Sequence, residues 1–160
     1  MEIDRMDFRT AIRTCIVEKY ATFQGRAPRS EFWYYTLFAY ISGLLAGFVD
    51  YVSFQKQLGQ GPFSIILMLA LAVPGLAAQV RRLHDTERSG WYILYYTLAL
   101  LSICLLTVSL ILIFSENSAL LLAVAAISFL ANIAATIYFI YFLVSRGTPG
   151  PNAYGADPLA

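Results

Sequence analysis

Residues 91–114 read WYILYYTLALLSICLLTVSLILIF, a run without one charged side chain. A helix rising about 1.5 Å per residue needs about 20 apolar residues to cross a hydrocarbon core about 30 Å thick. A water-exposed helix of that length needs a polar face, and this run has none. Two more runs, Pro62 to Gln79 and Ala119 to Val144, are also uncharged. Phe32 to Phe54 is apolar apart from Asp50 near its end and a few small polar residues. The run from Pro62 is close to the shortest length that spans.

These four runs predict an all-α, polytopic membrane protein. Its transmembrane helices are expected over 32–54, 62–79, 91–114 and 119–144. Composition agrees. The chain is 59% hydrophobic and 13% charged, with mean hydropathy +0.64, whereas soluble domains run about 45–50% apolar and about 25% charged. A soluble bundle is excluded because such helices leave no face for water. The expected organisation is an amphipathic interfacial segment (1–28), a four-helix transmembrane domain (29–146) and an irregular tail (147–160).

Net charge is only +1 and points to no nucleic-acid partner. Its distribution is lopsided. Arg5, Arg9, Arg13, Lys19, Arg26 and Arg29 precede the first run, Arg81, Arg82 and Arg88 lie between the second and third, and Arg146 follows the fourth. Only Lys56 falls on the other side. The positive-inside rule then places both termini and the Arg81–Tyr92 stretch in the cytoplasm. Trp33, Tyr34, Tyr35, Trp91, Tyr92, Tyr95, Tyr96, Tyr138, Tyr141 and Phe142 would form an aromatic belt at that interface, with a thinner outer belt of Tyr51, Phe54, Phe63 and Phe114. The first apolar run is too long for the core of a cleavable signal and reads as an uncleaved anchor.

Ahead of that anchor, Phe8, Ile12, Cys15 or Ile16, and Phe23 recur at helical spacing among charges. This predicts an amphipathic helix on the membrane or on the inner face of the bundle, capped by Asp4 or Asp7 and broken by Gly25 and Pro28. The tail from Arg146, RGTPGPNAYGADPLA, should be irregular, with a turn at Asn152–Gly155 that favours folding back.

Within the spans, Gly43 and Gly47 form a GxxxG that permits close helix packing. Ser128, Asn132 and Thr136 recur every four residues and make an intramembrane polar stripe. An unpaired amide there is costly, so the stripe should face protein or water. Its bland role is interhelical hydrogen bonding; its sharper one is a transport path. Asp50 is expected at the outer interface, paired with Lys56. The cysteines, Cys15 and Cys104, differ in depth and suggest neither a disulfide nor a metal site, and no cofactor motif is visible.

Two charged signatures remain, FQGRAPRSEFWYY (23–35) and RRLHDTERSGWYIL (81–94). The pattern Gly25-Arg26-x-x-Arg29-x-Glu31-Phe32-Trp33, the pattern Arg81-Arg82-Leu83-His84-Asp85-x-x-x-Ser89-Gly90-Trp91 and the closing Asn152-x-Tyr154-Gly155-x-x-Pro158 resemble those of the DUF805 family of small bacterial inner-membrane proteins. The resemblance runs in order from about Phe8 to Pro158. It implies a four-pass membrane domain and no particular activity. One departure is Glu87, where a glycine or another small residue is expected in many members, a change that should only stiffen the loop.

Three readings of the signatures compete. Arg82 and Asp85 are i,i+3 and Arg81 and Asp85 are i,i+4, so either pair meets if the second span continues to Asp85. With Glu31 taking one arginine and Arg26 or Arg29 answering Asp85, an interlocked structural cluster results, a role suited to the guanidinium fork. Alternatively Arg26, Arg29, Arg81 and Arg82, with Trp33 and Trp91, bind an anionic phospholipid head group. Catalysis by His84 with Asp85 or Glu31 is the weakest reading, since neither Ser30 nor Ser89 sits in a nucleophile motif. His84 reads better as a loop hydrogen bonder, and Ser89 as the N-cap of the third span. The function expected is therefore a non-enzymatic membrane module that binds a membrane-protein partner or assembles with itself. A small oligomeric transporter or channel and an anionic-lipid-binding protein are the alternatives.

Overall fold

The computed structural model describes residues 6–55, 61–113 and 118–159. Arg5, Lys56, Phe114, the Asp4 cap and most of both outer loops therefore lie outside the described residues. The elements are α1 (Phe8–Arg13), a π-helical turn (Thr14–Glu18), α2 (Arg29–Phe54), α3 (Pro62–Asp85), α4 (Trp91–Ile113) and α5 (Ser118–Val144). No strand occurs among the described residues. Four helices, α2 to α5, are long and apolar enough to cross a membrane. The protein is all-α, with four transmembrane helices behind one short N-terminal helix.

The chain forms two compact units. One contains α1, the π turn, α2, α3 and the C-terminal segment from Arg146; the other contains α4 and α5. In the second unit Tyr96 stacks on Phe139 with ring centroids 4.3 Å apart, and Tyr92 meets Phe142 edge to face at 6.2 Å. Aromatic pairs of this kind add to packing where lipid supplies no hydrophobic drive.

In the first unit, Asp7 caps α1 by accepting the Thr10 N–H at 3.2 Å. The helix is shorter than the apolar spacing predicts. The π turn adds a residue to the ring closed by each hydrogen bond and resets the faces. Ala11, Thr14 and Cys15 are buried, while Phe8 is exposed and meets Tyr34 edge to face at 5.7 Å. Phe23 lies beyond the helical residues.

The hairpin of α2 and α3 is fastened at its outer end by Asp50. Pro62 and Phe63 open α3, and their N-cap is Gly61, which has no side chain to offer. Asp50 does the capping from the neighbouring helix. Its carboxylate accepts the N–H groups of Phe63 and Ser64 at 3.1 and 2.8 Å and the Ser64 hydroxyl at 2.6 Å. Asp50 is therefore buried between α2 and α3, where it satisfies donors that a helix start leaves open. A Cβ on Gly61 would stand 2.1 Å from the Asp50 Cγ, so the close approach requires glycine. From that end towards the middle of the hairpin a cleft of about 280 Å³ is lined by Ala39, Gly43, Ser64, Leu67 and Met68. Gly43 is exposed and Gly47 is buried.

α3 continues to Asp85, past the uncharged run, because its last turns pack inside the unit with Ala77, Ala78, Arg81, Arg82, Leu83 and Asp85 buried. It closes with the Arg88 N–H on the Leu83 carbonyl at 2.9 Å and the Glu87 N–H on the His84 carbonyl at 3.1 Å, which is a Schellman motif. Glu87 occupies its left-handed position with φ +57°. Glycine adopts that geometry without the Cβ clash, so the departure at Glu87 costs backbone strain as well as altering loop stiffness.

Removing the Asp50 carboxylate should loosen the hairpin. The expected order of thermal stability in detergent is parent, then Asp50→Asn, then Asp50→Ala, since asparagine keeps one acceptor oxygen. Equal unfolding temperatures for the parent and Asp50→Ala would contradict the capping role.

Candidate functional site: a buried arginine–carboxylate cluster

The beginning of α2 and the end of α3 bring the two charged signatures together. Arg81 Nη2 donates to Glu31 Oε1 at 2.7 Å, and both side chains are essentially inaccessible. Asp85 receives two guanidiniums. Its Oδ1 accepts Arg26 Nε at 2.9 Å and lies 2.8 Å from Arg26 Nη2, and its Oδ2 accepts Arg82 Nη1 from one turn earlier. Among the described residues, Glu31 and Asp85 are the carboxylates that Arg26, Arg81 and Arg82 meet in ion pairs.

Backbone carbonyls accept further donors of Arg81 and Arg26. Arg81 Nη1 reaches the Thr22 and Lys19 carbonyls at 2.5 and 3.3 Å. Arg26 Nη1 and Nη2 reach the Gly150 and Thr148 carbonyls, each at 2.6 Å. Among the described residues Arg81 Nε is the one buried side-chain polar atom without a hydrogen-bond partner. Removing such charges from water is costly, and only this density of partners offsets it.

The C-terminal segment folds over the same end. The Thr148 N–H donates to the Asp85 carbonyl at 2.9 Å, and Asn152 Nδ2 donates to the His84 carbonyl at 2.9 Å. Tyr154 stacks flat on the His84 ring at 4.0 Å. Gly147 passes so close to Asp85 that a Cβ there would lie 2.1 Å from Oδ2. Asp157 accepts the N–H groups of Leu159 and Gly150, which hold its carboxyl below the usual carboxylate range.

His84 Nδ1 lies 3.1 Å from the Gly25 carbonyl. A carbonyl only accepts, so Nδ1 carries the proton in that bond. Among the described residues no hydrogen bond joins the ring to Glu31, Asp85 or Ser30. Arg29 is exposed at the first turn of α2, as is Trp33 one turn later. Ser89 and Trp91 belong to the second unit, where Ser89 Oγ accepts the Trp91 N–H at 3.4 Å and Trp91 is exposed. In α5 the polar stripe bonds along its own helix, with Asn132 Nδ2 on the Ser128 carbonyl and Thr136 Oγ1 on the Asn132 carbonyl, each at 2.8 Å. Thr136 also meets the Tyr96 hydroxyl of α4 at 3.1 Å.

Cys15 belongs to the cluster too, 3.8 Å from both Glu31 Oε1 and Arg81 Nη2. The apolar spacing put Cys15 on a helix face but did not place it beside Glu31 and Arg81, because the π turn resets which way it faces. Burial, reinforced by the nearby Glu31 charge, pushes its thiol up to about 12. No group of three or more His, Cys, Asp or Glu side chains suited to a metal occurs among the described residues.

Residues 20–156 match the family described as a protein of unknown function, DUF805. The chain belongs to the DUF805 family. The inner membrane protein YhaH of Escherichia coli strain K12 is 28% identical over 144 residues, covering 89% of this chain and 92% of that protein. The inner membrane protein YhaI of the same strain is 27% identical over 144 residues, covering 89% and 91%. No solved structure matches the chain. With its four apolar helices, this DUF805 protein is an integral inner-membrane protein. The matched residues include every arginine and carboxylate of the cluster and the folded-back tail as far as Ala156, whereas α1 and Cys15 precede them.

Two outcomes follow for this DUF805 protein. Glu31→Leu leaves Arg81 buried without its counter-ion and should cost about 3–5 kcal/mol, with part of the loss recovered in Glu31→Leu/Arg81→Met. Denaturant titration in detergent measures both, and a single-substitution loss below about 1 kcal/mol is incompatible with burial of the pair. The raised Cys15 pKa keeps the thiol protonated at neutral pH, so maleimide at pH 8 should label it only after unfolding. Because the folded value lies above the ordinary 9.0, the stability that this protonation contributes is complete below pH 9 and declines as pH rises towards 12. Rapid native labelling of Cys15 would be the contrary result.

Proposed function

We propose that this DUF805 protein is a non-enzymatic membrane module whose charged end is an ordered platform for a membrane-protein partner or a second copy of the chain. One observation carries the reading. The charges that look most chemically active, on Arg26, Glu31, Arg81, Arg82 and Asp85, are buried and bonded to one another and to the chain's own carbonyls. Side chains engaged in this way position segments and are not free to act as acid, base or electrophile themselves. The distribution of basic residues supports an orientation with this end and both termini in the cytoplasm.

A second reading has its own support. Arg29 and Trp33 are exposed and i,i+4 on α2, on one face of the helix. An arginine beside an interfacial tryptophan suits an anionic phospholipid head group, with Arg29 rather than the buried arginines as its ligand. Neither reading requires transport through α5.

A photo-crosslinking side chain placed at Trp33 and, separately, at Glu87 tests the proposal in native membranes. A discrete protein adduct, to a partner or to a second copy, is expected, together with labelling of Glu87→Cys by an impermeant maleimide only after permeabilisation. Recovery of monomer alone rejects the platform, and an adduct solely with phosphatidylglycerol at Trp33 favours the lipid reading. Labelling of Glu87→Cys in intact cells reverses the orientation.

A further inference from the structure

Pro74 lies inside α3. It has no N–H, so the carbonyl four residues earlier, that of Ala70, loses its usual α-helical donor. In hydrocarbon such a carbonyl must find another donor, because no water is available to it. The Tyr20 hydroxyl, fifty residues away in sequence, donates to the Ala70 carbonyl at 2.6 Å. One residue along, the Tyr35 hydroxyl donates to the Leu71 carbonyl, also at 2.6 Å. The Tyr35 ring lies over Gly75, where an added Cβ would stand 3.3 Å from it.

Tyr20 sits on the turn that follows the π helix, and that turn is held from the charged end. Arg81 Nη1 bonds to the carbonyls of Lys19 and Thr22, one on each side of Tyr20. Glu31 fixes the same guanidinium through Nη2. A continuous set of contacts therefore runs from Glu31 through Arg81 and the Lys19–Thr22 turn to Tyr20, and on to the carbonyl exposed by Pro74.

We propose that Tyr20 is the surrogate donor that closes α3 at Pro74, and that the buried Arg81–Glu31 pair holds it in place. The charged end and the middle of α3 are then one conformational unit. Displacing the N-terminal turn removes the donor and opens α3 over Ala70–Pro74. Whatever binds the platform and moves that turn changes the helix inside the membrane.

Hydrogen exchange, read by mass spectrometry on the full chain in nanodiscs of phosphatidylethanolamine and phosphatidylglycerol, tests this over residues 71–78. Tyr20→Phe keeps the ring and removes the donor, and it should accelerate exchange there about tenfold, the equivalent of one lost hydrogen bond. Pro74→Ala restores an N–H to the Ala70 carbonyl and should return Tyr20→Phe to the parent rate. Glu31→Gln should reproduce the acceleration, with no further increase when combined with Tyr20→Phe. Unchanged exchange in Tyr20→Phe overturns the proposal, as does an acceleration that persists with Pro74→Ala. No effect of Glu31→Gln, or an effect spread equally over α2, overturns the link to the ion pair.

Discussion

A guanidinium removed from water must still satisfy five N–H donors and a full positive charge. Three such groups lie buried where α2 begins and α3 ends, with two carboxylates to balance them. The arrangement persists because the excess charge is met by carbonyl dipoles from the two irregular ends of the chain. The N-terminal turn and the C-terminal segment supply those carbonyls and are held in place by them. Arginine suits the role better than lysine, since its fork reaches a carboxylate and two carbonyls at once.

The same constraint recurs wherever the backbone of α3 is left short of a partner. Its opening N–H groups take Asp50 from α2. The carbonyls beside Pro74 take Tyr20 and Tyr35. Its closing turn completes its bonds through a left-handed Glu87. In water each of these groups has a solvent partner. A membrane helix needs a neighbour to supply one, so the parts of the first unit are held together by specific polar contacts more than by burial of apolar surface.

This organisation bears on function. The stretch Arg81–Tyr92 has the makeup of an active site, with a histidine, acids, arginines and a serine close in sequence. In three dimensions its members separate into different tasks. Arg81 grips the N-terminal turn, Arg82 and Arg26 neutralise Asp85, His84 supports the tail and Ser89 starts α4. A platform that holds its shape agrees with that division of roles, and the exposed Arg29 and Trp33 remain as its outward-facing pair.

The membrane class and the four spans were legible in the sequence, because three uncharged runs and one with a single acid near its end, all of spanning length, leave no face for water. The sequence also brought out the charged residues of the cluster, since arginine and carboxylate patterns just outside a span are visible without coordinates. Which arginine meets which acid depended on α3 continuing to Asp85, and its packing against the rest of the first unit decided that. The roles of Cys15, Asp50, Tyr20 and Gly147 belong to the tertiary structure alone. Each acts on a group distant in sequence, and hydrophobic periodicity reports which face of a helix is apolar, not which backbone group elsewhere lacks a partner.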